Sequence, residues 1–118
     1  MSNKTEGVHA GEFLLSEAGG TRSRDEITLA ATTVNLPAGQ LLGKIAATGE
    51  YAPYNPVAEP ADGSETVAAV LWAPVAASES AQRTVGIVRD AEVIERLITG
   101  LDASGKADLL NRGIVVRP

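Results

Sequence analysis

Apolar and polar residues alternate along this chain in short segments, most with the period of two that half-buried strands require. From Glu26 to Leu36, Ile27, Leu29, Ala31 and Thr33 fall on one face, and Thr28, Ala30 and Thr32 on the other. Pro37, Ala38 and Gly39 form a turn, because proline fixes φ and glycine tolerates positive φ. A second strand is predicted over residues 41–48, joined through Gly49 and Glu50 to a hairpin partner at residues 51–54. Residues 65–75 are the most apolar stretch and carry Trp72; they predict a central buried strand closed by Pro74, which cannot donate to a ladder. Residues 84–89 alternate again. A helix is predicted next, with Asp90 as N-cap, Val93, Ile94, Leu97 and Ile98 on one face, and Gly100 as its stop. On that helix Glu92 and Arg96 form an exposed pair four residues apart. A second short helix over residues 106–111 and a last strand over residues 114–116 complete the pattern. The expected fold class is mainly β with one or two short C-terminal helices, a small barrel with proline and glycine at its corners.

The beginning of the chain breaks this regularity. Residues 1–12 hold one aliphatic side chain, Val8, among polar residues and glycines, too little apolar surface to offset the entropy of ordering. Three large apolar residues follow, Phe13, Leu14 and Leu15, and Phe13 is the sole phenylalanine of the chain. The expected organisation is a flexible N-terminal arm over residues 1–17, a hinge at Gly19 and Gly20, and one β-rich domain over residues 18–118.

Composition narrows the picture. A chain of 118 residues makes one domain and buries roughly two-thirds of the surface its unfolded form exposes. Its apolar residues are mostly Ala, Val, Leu and Ile, with one Phe, one Trp and two Tyr. Such a core buries modest area per residue, so self-association is expected to help it. The net charge of −5 and the absence of a basic block predict no direct nucleic-acid binding. No run reaches the ~18 apolar residues of a membrane span, and residues 1–12 lack the apolar core of a signal peptide. A product assembled in the cytoplasm is expected.

Candidate chemistry is sparse. The chain has no cysteine and a single histidine, His9, so neither a catalytic triad nor a common zinc site is expected, and no cofactor. Residues 38–45 have the spacing of a degenerate phosphate-binding loop, yet Ile45 stands where Ser or Thr would hold magnesium. A hairpin turn and strand start explain them better. Asp25 and Glu26 lie beside Arg22 and Arg24, as expected of a solvated ion-pair cluster. Trp72, Tyr51 and Tyr54 are expected in the core or at a subunit interface. No catalytic residue is expected.

Seven segments taken in order carry a resemblance: FLLSEAGG, SRDEITLA, PAGQLLGKI, YAPYNP, DGSETVAAVLWAPV, VGIVRDAEV and GIVVRP, together covering most of residues 12–118. In this order and spacing the chain resembles the lambda-type head decoration proteins of tailed bacteriophages. The resemblance implies a β-clip or tulip-like barrel and a homotrimer on the outer surface of the virion. It implies docking to the major capsid protein at local three-fold axes of the expanded capsid, which the trimers would stabilise against packaged DNA. It also implies an arm that orders by pairing with a strand of the capsid protein, with Val8, Phe13, Leu14 and Leu15 as its candidate contact residues. The helical region near the C-terminus departs from the best-known member, so trimer contacts are not carried over. Two other classes compete: a carbohydrate- or cell-binding module using Tyr51, Tyr54 and Trp72, and a small enzyme on the same scaffold. The missing titratable constellation speaks against the enzyme.

Overall fold

The computed structural model describes residues 9–20 and 22–118. Its strands are β1 (Leu14–Glu17), β2 (Arg24–Leu29), β3 (Leu41–Lys44), β4 (Tyr51–Pro53), β5 (Val67–Leu71), β6 (Gln82–Ile87), β7 (Ala91–Ile94) and β8 (Ile114–Arg117). One α-helix, α1 (Ala103–Asn111), precedes the last strand. Five strands close a barrel in the order β2-β4-β3-β5-β6, and β1-β7-β8 form a separate three-stranded sheet. The mainly β reading and the late helix hold.

Why the barrel closes is visible in β5. All five of its residues are buried, so it sits covered on both faces between β3 and β6. Ala69 and Leu71 join Ile27, Leu29 and Leu42 in one cluster formed by barrel strands. Val67 and Val70 join a second cluster with Phe13, Val93, Leu109 and Ile114, which seals the barrel against α1 and the three-stranded sheet. The longest pairing, β2 with β6, runs antiparallel from Arg24 opposite Ile87 to Leu29 opposite Gln82. The expected hairpin of β3 and β4 is present, with Lys44 opposite Tyr51. Beyond Leu29 the expected long first strand breaks up, leaving bridges at Thr32–Ser78 and Leu36–Val75. Residues 38–45 are a turn followed by a strand, and no helix follows them.

The helix expected after Asp90 is not there. Residues 91–94 form β7, the middle strand of its sheet, followed by a 3-10 turn at Glu95–Leu97. Asp90 is not an N-cap: its φ is 51°, and its N–H donates to the Arg112 carbonyl at 3.2 Å. Ala91 and Val93 are buried while Glu92 and Ile94 are half-buried, an alternation that serves a strand as well as Val93, Ile94 and Leu97 serve a helix. Pairing on both sides decides between them: β1 lies antiparallel on one edge and β8 parallel on the other. The expected Glu92–Arg96 pair is replaced accordingly. Glu92 takes Arg117 at 2.6 Å and the Ser16 hydroxyl at 2.8 Å, one contact from each neighbouring strand. The true helix starts three residues before the predicted one, capped by Asp102, whose carboxylate accepts the Gly105 N–H at 2.6 Å.

Residues 14–17 are a strand of the domain's own sheet, and Phe13 is fully buried.

Candidate functional site

The region where the chain enters its domain gathers the most unusual geometry. A turn at residues 9–12 is closed by the Glu12 N–H on the His9 carbonyl at 3.0 Å and by the His9 N–H on the Glu12 carboxylate at 2.8 Å. The Gly11 N–H donates to the Trp72 carbonyl at 3.0 Å. Phe13 then enters the core, its ring meeting Trp72 edge-on with centroids 6.5 Å apart. Leu14 packs partly against the same core, while Leu15 is 56% exposed.

Trp72 is half-buried at the end of β5, and its own N–H is fixed to the Val85 carbonyl at 3.0 Å. The Arg24 guanidinium lies 3.8 Å from the indole ring centre. Glu17 holds Arg24 there through two hydrogen bonds, 2.6 Å and 3.1 Å, and also accepts the hydroxyl of fully buried Ser23 at 2.5 Å. These bonds, that from Arg24 foremost, hold the Glu17 carboxyl below the usual carboxylate range. Beside them a cavity of about 290 Å³ is lined by Arg24, Asp25, Glu26, Trp72 and Val85.

Asp25 and Glu26 do form exposed ion pairs, but with partners distant in sequence: Arg89 at 2.9 Å and Arg83 at 2.7 Å. Tyr54 is 7% exposed and bonds to Asp102, and half-buried Tyr51 packs on the barrel cluster. A sugar-stacking face that needs Tyr54 is therefore not on the surface. Among the described residues no group of three His, Asp or Glu side chains is placed to hold a metal ion, and no helix is long and apolar enough to cross a membrane.

The model of the family named bacteriophage lambda head decoration protein D matches residues 3–114. The chain belongs to that family. Membership makes this decoration protein a structural, capsid-associated component of the virion. No curated protein matches the chain.

Of the expected arm residues of the decoration protein, Phe13 and Leu14 are turned into the domain and Leu15 outward; Val8 lies outside the described residues. Sequence reading missed the Glu17–Arg24–Trp72 arrangement. The acid and base are seven residues apart across a loop, and Trp72 arrives from β5, so no local spacing marks the three as partners.

Proposed function

We propose that the protein binds as a homotrimer to the outside of the expanded phage capsid, at local three-fold axes, and stabilises the shell against packaged DNA. The observation that carries this reading is the family match over residues 3–114. Contact is made with the major capsid protein, not with nucleic acid or membrane; the net charge of −5 suits a partner other than DNA. Residues 1–8 are the capsid-seeking arm, with Val8 as an apolar contact, and outward-facing Leu15 adds a second. β1 supports this, since among the described residues it is an edge strand of its sheet and pairs with β7. An open edge next to the arm offers main-chain groups to a strand of the capsid protein. Trimerisation multiplies weak contacts into avidity.

The test uses expanded capsids of the encoding phage, stripped of decoration. Saturable binding in multiples of three copies per site, with a raised capsid disruption temperature, is expected. Failure to bind those shells, or saturation at one copy per site, overturns the reading.

A further inference from the structure

We propose that Trp72, Gly11 and Arg24 act as a positioning clamp that fixes the turn at residues 9–12, the point from which residues 1–8 depart. The proposal rests on the reading of those residues as the capsid-contacting arm.

The core does not require this clamp. Phe13, with Leu14 partly packed beside it, anchors the chain in the apolar cluster, whereas His9, Ala10 and Glu12 are exposed and Gly11 is half-buried. A turn that buries so little apolar surface is nonetheless held in place by specific contacts. Gly11 has φ +69°, and a Cβ at this position would run into Cη2 and Cζ3 of the Trp72 indole. Only glycine allows the backbone to lie this close while its N–H reaches the Trp72 carbonyl. The indole is in turn fixed by its backbone bond to Val85, by the edge of Phe13, and by Arg24 stacked on its ring. Arg24 is locked by Glu17, itself bonded to buried Ser23. Each link constrains the next, and the final one is the last described turn before the arm. A fixed exit point removes part of the entropy lost when the arm engages its partner, which strengthens binding without any new contact. These three are positioning residues; none needs to touch the capsid.

The experiment compares the wild-type protein with Gly11→Ala, Trp72→Phe and a variant lacking residues 1–8, using undecorated expanded capsids as the probe. Capsid affinity and melting temperature are read for each, and tryptophan emission for the variants that keep Trp72, the chain's one tryptophan. Loss of residues 1–8 is expected to abolish binding with no change in emission. Gly11→Ala is expected to shift emission to the red and weaken binding about tenfold, with a modest drop in melting temperature from the positive φ. Trp72→Phe removes the atoms beneath Gly11 and is expected to weaken binding similarly, which covers the case in which Gly11→Ala folds poorly. Combining Gly11→Ala with the deletion is expected to add nothing. Wild-type affinity in Gly11→Ala or Trp72→Phe, while the deletion abolishes binding, overturns the clamp alone. Wild-type affinity in the deletion variant overturns the arm reading and the clamp with it.

Discussion

The hydroxyl of Tyr54 donates to the carboxylate of Asp102 at 2.9 Å, across 48 residues, and the same carboxylate caps α1 through the Gly105 N–H. One acid therefore ties the end of the β3–β4 hairpin to the start of the helix. Gly105 suits this junction, because a Cβ there would stand 3.1 Å from the Asp102 carboxylate and 3.5 Å from the Tyr54 ring. Asp102→Ala removes both the cap and the tyrosine's acceptor and is expected to cost about 2–3 kcal/mol. Tyr54→Phe leaves the cap intact and is expected to cost about 1 kcal/mol. Denaturant melts of the two variants check the order.

The same bond sets an alkaline limit. Burial first, and then the Asp102 carboxylate, push the Tyr54 phenol up to about 12. In the unfolded chain the phenol titrates near ~10. Below ~10 it is neutral in both states and its stabilising effect is complete; as pH rises towards about 12, only the unfolded state ionises and stability falls. Tyrosinate absorbance should therefore show Tyr54 titrating well above the unfolded-chain value, and Tyr54→Phe should flatten the alkaline loss.

Glu17 sets the acid limit in the opposite sense. Its carboxyl is held below the ordinary value by Arg24, by the Ser23 hydroxyl and by the Arg24 charge, against an opposing effect of burial. A depressed folded value means that the stabilisation is complete above the unfolded value, near ~4.3, and is lost as pH falls through the folded one. Glu17→Gln is expected to cost about 1–2 kcal/mol at neutral pH, a charged hydrogen bond discounted for partial exposure. The stability gap between wild type and variant should close as pH is lowered beyond that range. A gap that persists unchanged to acid pH would show that Glu17 acts by packing alone.

How far the fold could be read from sequence depended on whether one segment held its own answer. Residues 67–71 could, since a run of five apolar residues that includes β-branched Val67 and Val70 suits a strand covered on both faces. The hairpin of β3 and β4 was equally local. Residues 91–98 could not, because Val93, Ile94, Leu97 and Ile98 satisfy a helical stripe while Ala91 and Val93 satisfy a strand. The strands that decide the matter, β1 and β8, are remote in sequence. α1 was found late for a related reason. Its first turn contains Ser104 and Gly105, weak helix formers, and its cap gains force from Tyr54. The site divided along the same line: apolar residues 13–15 stood out at once, but not which of them face inward. That direction follows from the pairing of β1 with β7, and β7 had been read as a helix.

Gly43 in β3 offers a sharper stability test than the turn glycines. Its missing side chain admits the backbone of the loop that precedes β5: a Cβ there would lie 2.5 Å from Ser64 Cα, which cannot rotate away. Ser64 is buried and tied to Asp62 through its N–H at 2.9 Å and its hydroxyl at 2.5 Å. Gly43→Ala must therefore push two barrel segments apart, an overpacking cost of about 1–3 kcal/mol. A thermal melt checks this, and Gly20→Ala, where a Cβ would meet nothing within 4 Å, controls for backbone strain because Gly20 has φ +67°.

Two truncations separate arm from domain. Removal of residues 1–8 spares Phe13 and every strand described, so the remaining chain should melt within a few degrees of the wild type while failing to decorate capsids. Removal of residues 1–15 takes Phe13 from a cluster in which it is fully buried, and with it the Phe13 carbonyl that accepts the Ile94 N–H at 2.8 Å. It also removes half of β1, leaving β7 with a shortened partner. Loss of a buried phenylalanine alone costs about 3–5 kcal/mol, a large share of the ~5–15 kcal/mol that holds a domain of this kind together. The longer deletion should therefore unfold the protein or leave it barely folded at 37 °C, the temperature at which small domains so weakened commonly fail. Phe13→Ala in the full chain should reproduce most of that loss while keeping residues 1–8. Circular dichroism melts of the three variants make the comparison, and a stable, cooperative fold after removal of residues 1–15 would place the domain boundary at Gly19–Gly20 after all.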